Sequence, residues 1–157
     1  PTEKKMKKII SPIVFVMFAF GSLLAQDDFI ELLRKNVDAE KVAIITQVMA
    51  FTEEESAIFW PIHREYDFER KKIADQRIAL IKYYAENFDS ITDEKADDIA
   101  KQTFKIREQF TKLEKKYYKK MAKALTPRTA ARFIQLDGQI NSLITLQLTS
   151  ELPLIDH

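Results

Sequence analysis

One histidine in the body of the chain stands four residues before an acid, in the order His63–Asp67. Residues at i and i+4 share one face of an α-helix, so this imidazole and carboxylate could reach the same metal ion. Two ligands are too few for a closed site, and the other histidine is His157. We therefore expect a surface histidine paired with an acid and no cofactor, with metal binding by His63 and Asp67 as the alternative.

A lysine-rich stretch is interleaved with Tyr117 and Tyr118. Its members are Lys112, Lys115, Lys116, Lys119, Lys120 and Lys123. In a nucleic-acid-binding protein, such lysines follow phosphates while aromatic rings stack on bases. Cations near a helix C-terminus also interact favourably with the helix dipole. We interpret the stretch as a solvated helix face that binds no nucleic acid. Recruitment of acidic or unfolded protein clients, or of anionic lipid headgroups, is the alternative.

An acidic cluster precedes and follows a predicted turn near residue 90. Its members are Glu86, Asp89, Asp93, Glu94, Asp97 and Asp98. Two carboxylates can act as acid and base in glycoside cleavage, but they need a cleft that gives each a different environment. The spacing also lacks the glycine-containing calcium loop pattern. The chain has two glycines and no cysteine, which excludes phosphate-binding glycine loops and thiol nucleophiles. We expect a solubilising role for the cluster and a protein that is not an enzyme.

The first 25 residues have the order of a secretory signal peptide. Lysines around Met6 precede an uncharged apolar run from Ile9 to Ala25, and acids follow. We expect cleavage after Ala25, a natural start at Met6 with residues 1–5 upstream of it, and a single mature domain over 26–157. The protein would then be periplasmic or secreted. Membrane contact would come only through this segment if it stayed uncleaved. Without residues 1–25 the formal net charge changes from +1 to −2, which gives no general case for nucleic-acid binding.

Apolar residues recur at helical spacing through the rest of the chain, and no segment alternates as a strand would. The pattern predicts an all-α fold. It predicts a long antiparallel hairpin whose helices cover about 52–87 and 92–125, with short helices before it. A C-terminal helix begins at Thr126-Pro127 and ends before Pro153. The apolar stripe exceeds what a small monomer readily buries, so we expect a homodimer or an exposed, cradle-shaped binding surface.

A short motif occurs twice, 74 residues apart, and both copies open a predicted helix. The first copy has Thr52, Glu55 and Phe59, and the second has Thr126, Pro127 and Phe133. Each combines a threonine N-cap with a phenylalanine on the first buried turns.

Paired motifs of this L-T-x-x-Q type, on an exported and cysteine-free helical chain, resemble the Spy/CpxP group of periplasmic proteins. Glu55 and Thr129 stand where that group typically has glutamine. The resemblance implies a helical hairpin, often a cradle-shaped dimer, that acts as an ATP-independent chaperone or as an envelope-stress adaptor.

We therefore predict a non-enzymatic binding protein whose partners are protein clients. The alternative is a periplasmic sensor, which could respond to a metal, that modulates a membrane or sigma-factor signalling partner. Among the aromatic residues, we expect client or dimer contacts at Trp60, Tyr66, Tyr117 and Tyr118.

Overall fold

Two long helices joined by a tight turn form the main part of the fold. The computed structural model describes residues 38–150 and 152–155, and every regular element in these ranges is helical. Helix α1 covers residues 38–49, and the other helices are α2 (Glu53–Asn87), α3 (Asp93–Ala124) and α4 (Pro127–Thr149). A 3₁₀ turn at Phe88–Ser90 follows α2. The predicted all-α fold with a long helical hairpin and a C-terminal helix is confirmed.

Helix α2 begins with a complete capping box. The Thr52 hydroxyl accepts a hydrogen bond from the backbone N–H of Glu55 at 3.1 Å, and the Glu55 carboxylate accepts one from the N–H of Thr52 at 3.0 Å. The first turn contains Glu53, Glu54 and Glu55, whose charges suit the positive end of the helix dipole. The helix continues through Pro61 and, at 35 residues, is about 50 Å long.

The two later helices also begin at threonine caps. Thr92 accepts from the N–H of Lys95, and Thr126 accepts from the N–H of Thr129 at 3.0 Å. Pro127 occupies the start of α4, where its missing N–H costs nothing. Local sequence therefore determines where α2, α3 and α4 begin.

Helix α4 packs against α3 and runs parallel to α2. Three hydrogen bonds connect α2 to α4 and the residues after it, in ascending order along both segments: Tyr66 to Asp137, Arg77 to Thr145, and Tyr84 to Pro153. Residues Ala39–His157 form one compact unit. The predicted domain start at residue 26 lies outside the described residues.

The hydrophobic core is concentrated at one end of the hairpin, which we call the base: residues 53–66 of α2 and 113–124 of α3. Ile45 and Met49 of α1 contribute to this core together with the base. All the fully buried residues of α2 lie within the base: Phe59, Ile62, His63 and Tyr66. Towards the turn at residues 88–92, the α2 side chains are at most partly buried.

The helical spacing of the sequence predicts one apolar stripe on α4 that includes Ala130, Phe133, Ile140, Leu143 and Leu148, and the last two of these are exposed. Leu143 is 65% exposed and Leu148 is 42% exposed. The stripe correctly predicts burial for Ala130, Phe133 and Ile140, which lie in the core. Both leucines follow Ile140, which is the last buried core residue of α4.

The predicted signal peptide, residues 1–25, lies outside the described residues, as does the short helical pattern before residue 37. None of the helices in the described part of the chain is long and apolar enough to span a membrane.

Candidate functional site

The repeated motif brings its two phenylalanines into contact. Phe59 and Phe133 are both fully buried, and their ring centroids lie 5.0 Å apart in an edge-to-face arrangement. Since Thr52 and Thr126 cap the helices that carry these rings, each motif copy fixes a helix start and a core contact. The motif positions therefore have a structural role in assembling the hydrophobic core.

A buried ion pair attaches α1 to α4. The Lys41 Nζ lies 2.6 Å from the Asp137 Oδ1, and the two side chains are 5% and 1% exposed. Buried charges are costly unless each has a partner, so removal of either side chain would leave the other uncompensated. This pair therefore fixes the position of α1 on the hairpin.

Two further side chains satisfy the same carboxylate. The Tyr66 hydroxyl donates to Asp137 Oδ2 at 2.6 Å, and the Asn141 amide donates to it at 2.8 Å. We call Lys41, Tyr66, Asp137 and Asn141 the polar cluster; it joins α1, α2 and α4. Burial opposes the charge of Asp137, but Lys41 and the hydrogen bond from Tyr66 outweigh it and hold the pKa of the carboxyl below its usual range.

His63 lies beside the polar cluster among aromatic rings. It is 4% exposed, and its ring centroid is 5.4 Å from that of Phe59 and 5.6 Å from that of Phe133. Burial, followed by the nearby Lys41 charge, lowers its pKa to about 4. The prediction of a surface histidine was wrong, because α1 and α4 cover this face of α2.

The structure does not bring metal ligands to His63. Asp67 instead forms an ion pair with Lys71, with Nζ and Oδ2 3.1 Å apart. Within residues 38–150 and 152–155, no group of three or more histidine, cysteine, aspartate or glutamate side chains could hold a metal ion.

Two of the four aromatic residues predicted to contact clients or a second copy are inside the core. Tyr66 is 0% exposed and Tyr117 is 1% exposed, so their rings are unavailable to another chain in this structure. That part of the prediction was wrong, since helical spacing indicates the apolar face of α2 and α3 but does not show what covers it. Trp60 is partly buried against Phe59, and Tyr118 is 36% exposed. A contact role for these two stays a prediction.

Half of the lysine-rich stretch is paired with glutamates. Lys116 contacts Glu69 at 2.7 Å, Lys120 contacts Glu65, and Lys112 contacts Glu108 at 2.8 Å. The first two pairs connect α3 to α2 across the surface of the hairpin. They reduce the positive charge available to an acidic partner and agree with the interpretation as a solvated face.

The acidic cluster around the turn is entirely exposed. Two of its members have helical partners four residues on, since Asp97 contacts Lys101 at 2.5 Å and Asp98 accepts from Gln102 at 2.7 Å. The exposure of all six carboxylates agrees with the interpretation of the cluster as a solubilising surface.

The second half of α4 presents an uncharged face to solvent. From Gly138 to Ser150 the chain has no charged residue, although charged residues make up 31% of the whole sequence. Leu143 and Leu146 are 65% and 63% exposed. They are three positions apart, so they are neighbours on the helix surface.

A shallow depression lies next to these leucines. Leu146 lines it with small polar side chains, and its volume is about 400 Å³. The other lining residues are Asn141, Ser142, Thr145 and Thr149. We call the exposed surface around Leu143 and Leu146 the α4 face.

Comparisons with models of protein families, with curated proteins and with solved structures find no match to this chain.

Sequence reasoning missed the polar cluster and the α4 face. Lys41 stands four residues before Ile45 and Asp137 four residues after Phe133, so each charge falls on the apolar side of its helix. Such a position is the available signal for a buried ion pair. The α4 face could have been found from the absence of charge over Gly138–Ser150, which contrasts with the charge-rich α2 and α3.

Proposed function

We propose that the mature protein is an exported, non-enzymatic binding protein, a Spy/CpxP-like chaperone or envelope-stress adaptor that holds protein clients. The observation that carries the proposal is the α4 face, where two leucines more than 60% exposed lie in an uncharged helical segment. Solvent-exposed apolar patches commonly mark binding surfaces.

The chemistry of the α4 face suits unfolded or partly folded segments. Leucine side chains gain free energy by covering another apolar side chain, and the absence of charge avoids the desolvation of ions on contact. Gln139, Ser142 and Gln147 are exposed on the same half of α4 and can accept and donate hydrogen bonds without fixed geometry. Such a surface favours many weakly related clients over one specific partner.

The test is suppression of client aggregation by protein beginning at Gln26. The wild-type protein should keep an unrelated unfolding client in solution at a near-stoichiometric ratio. Leu143→Ser combined with Leu146→Ser should weaken this activity several-fold. Phe104→Ser is the matched control, because Phe104 is 63% exposed on the charge-rich α3, and this variant should retain the activity.

Two outcomes of that assay contradict the proposal. One is the absence of suppression by the wild-type protein at several-fold excess over the client. The other is equal loss in the α4-face variant and in the Phe104→Ser control, which would indicate non-specific adsorption to exposed apolar groups.

The predicted homodimer is the alternative use of the α4 face, because an interface there would cover Leu143 and Leu146 and keep clients away from them. A two-fold axis places the same surface on both copies, and an uncharged surface meets its copy without like-charge repulsion. Sedimentation equilibrium of wild type and of the doubly substituted α4 variant tests this. If the dimer is unaffected by the substitutions, its interface lies elsewhere on the protein. If the wild-type protein is a monomer at high concentration, the homodimer is excluded.

The sensor alternative is supported by the titratable groups buried beneath α1. Lys41, His63 and Asp137 are all less than 5% exposed. Their arrangement favours protons over metal ions as the signal, since His63 belongs to no group of three or more metal-ligating side chains among the described residues.

A further inference from the structure

We propose that α1 is an acid-released strap: it covers the groove between α2 and α4 at neutral pH and leaves it on acidification, exposing an aromatic binding surface. This inference adds a means of regulation to the proposed binding function. Release of α1 can be measured without a client, so the two proposals can fail separately.

The contacts of α1 fall along one side of a short helix. Lys41, Ile45 and Met49 are spaced by four residues and are all buried. A helix of this length is marginal by itself in water and depends on its packing for stability. At its C-terminal end, the Arg132 guanidinium donates to the carbonyl of Val48 at 2.8 Å. Release of α1 would break the Lys41–Asp137 ion pair and the bond from Arg132 and would remove Ile45 and Met49 from the core.

A short connection allows α1 to move without unfolding the hairpin. Only residues 50–52 separate α1 from α2, and the capping box at Thr52 fixes the start of α2 independently of α1. Ala50 has a φ of 48°, a left-handed conformation that alanine adopts at some cost. Undocking would relieve this cost.

The surface beneath α1 is suited to apolar ligands. Phe59, Tyr66 and Phe133 form one core cluster with Ile45 and Met49 of α1. Loss of α1 would expose these rings, with Asp137 among them. The uncovered groove would fit an amphipathic helix that has a basic residue in the position of Lys41.

His63 provides the first proton-dependent step. Lys41 of α1 and Arg64 of α2 oppose its protonation, whereas Asp67 of α2 and Asp137 of α4 favour it. Burial is the largest influence and keeps the docked form neutral, with a pKa of about 4 against 6.5 for a free histidine. Because release of α1 removes Lys41 and admits water, the released form binds a proton more tightly. Acidification from pH 6.5 to 4 therefore favours release.

Asp137 provides a second step in the same direction at lower pH. Its docked pKa is below the ordinary value of 3.8, since Lys41, the Tyr66 hydroxyl and Arg70 stabilise the carboxylate against burial. Protonation removes the partner of the buried Lys41 ammonium. Protonation of Glu114 on α3 favours the docked form instead. Burial and Asp137 raise its pKa, so acid neutralises this carboxylate while it stays in place. Lys41 of α1 influences the pKa of His63 and that of Asp137, whereas burial, Asp137 and Arg70 influence that of Glu114.

Spin labels measure the release directly, because the chain has no cysteine of its own. One pair of labels at Ala43→Cys and Gln139→Cys reports the distance between α1 and α4. A control pair at Ala79→Cys and Lys105→Cys reports the separation of α2 and α3. All four positions are exposed.

Between pH 7.5 and 4, the α1–α4 distance distribution should lengthen and broaden while the α2–α3 distribution stays narrow. Linkage limits the change in the released-to-docked ratio to about tenfold per pH unit over the titration of one group. In His63→Gln, release should require a lower pH, because only the Asp137 step remains.

Three results would overturn the proposal. They are an α1–α4 distance unchanged down to pH 4, simultaneous broadening of both label pairs, and wild-type pH dependence in His63→Gln. If that variant does not fold, the comparison of the two label pairs in otherwise wild-type protein decides the matter alone. If acid releases α1 but does not enhance client binding, the proposal of an acid-released strap stands. Only the link between its release and the proposed binding function is then contradicted.

Discussion

The Lys41 ammonium lies 2.6 Å from the Asp137 carboxylate in the interior of the protein, on helices that are distant in sequence. The pair adds a buried polar contact between α1 and α4 to the apolar contacts of the core. Tyr66 and Asn141 donate hydrogen bonds to the same carboxylate and hold it in place for Lys41. The position of α1 therefore depends on several groups at once.

Asp137→Asn should destabilise the protein by about 3–5 kcal/mol, because it leaves the buried Lys41 charge without a counterion. The asparagine oxygen can still accept a hydrogen bond from the Tyr66 hydroxyl. The loss of stability would therefore come chiefly from the unpaired charge of Lys41. Chemical denaturation monitored by circular dichroism measures the free energy of unfolding.

The matched variant combines Asp137→Asn with Lys41→Met. Removal of the ammonium should restore most of the lost stability, since an apolar side chain replaces the uncompensated ion. If the double variant is as unstable as Asp137→Asn alone, charge pairing is not the reason for the effect.

Glu69→Gln should have a much smaller effect, about 0–1 kcal/mol, although Glu69 contacts both Lys116 and Tyr117. The carboxylate is 38% exposed, and hydrogen bonds from Lys116 and Tyr117 lower its pKa. Water and salt screen such a pair, so the difference from wild type should decrease further in high salt. A loss as large as that of Asp137→Asn would contradict this distinction between exposed and buried pairs.

Ala50→Gly should stabilise the folded protein by roughly 0.5–1 kcal/mol, because glycine adopts a positive φ without the steric cost that alanine has at 48°. Ala100→Gly in the exposed interior of α3 is the control and should destabilise by about 1 kcal/mol. The midpoints of urea denaturation compare the three proteins. Destabilisation by both substitutions would show that the backbone at Ala50 is not left-handed in solution.

Calorimetric titration with zinc should give no binding tighter than millimolar, because His63 is buried and Asp67 is paired with Lys71. Micromolar binding that is lost in His63→Gln would contradict the described arrangement. Binding that survives this substitution would place a metal site outside the groups discussed above.

Local signals account for what the sequence predicted well. Thr52 with Glu55, Thr92, and Thr126 with Pro127 fix helix starts through contacts within a few residues, so their sequence pattern was sufficient. Tertiary contacts were not accessible in this way. The hydrogen bond between Tyr66 and Asp137 spans 71 positions, and periodicity alone gives no partner for either residue.

The wrong predictions have one physical origin. The apolar stripe of a helix shows which side is covered but does not identify the covering element along its length. Helix α1 covers the base, so His63 and Tyr66 are buried there. Beyond the core cluster, Leu143 and Leu148 remain exposed although they follow the same stripe.

Site-specific photo-crosslinking detects contact between clients and the α4 face itself. A photoreactive residue at position 146 is compared with one at position 115, where an exposed lysine lies on α3, in otherwise identical protein mixed with an unfolding client. If clients bind the α4 face, crosslinking to the client should be strong from position 146 and weak from position 115. Equal transfer from both positions, or none from position 146 while aggregation is suppressed, would contradict it.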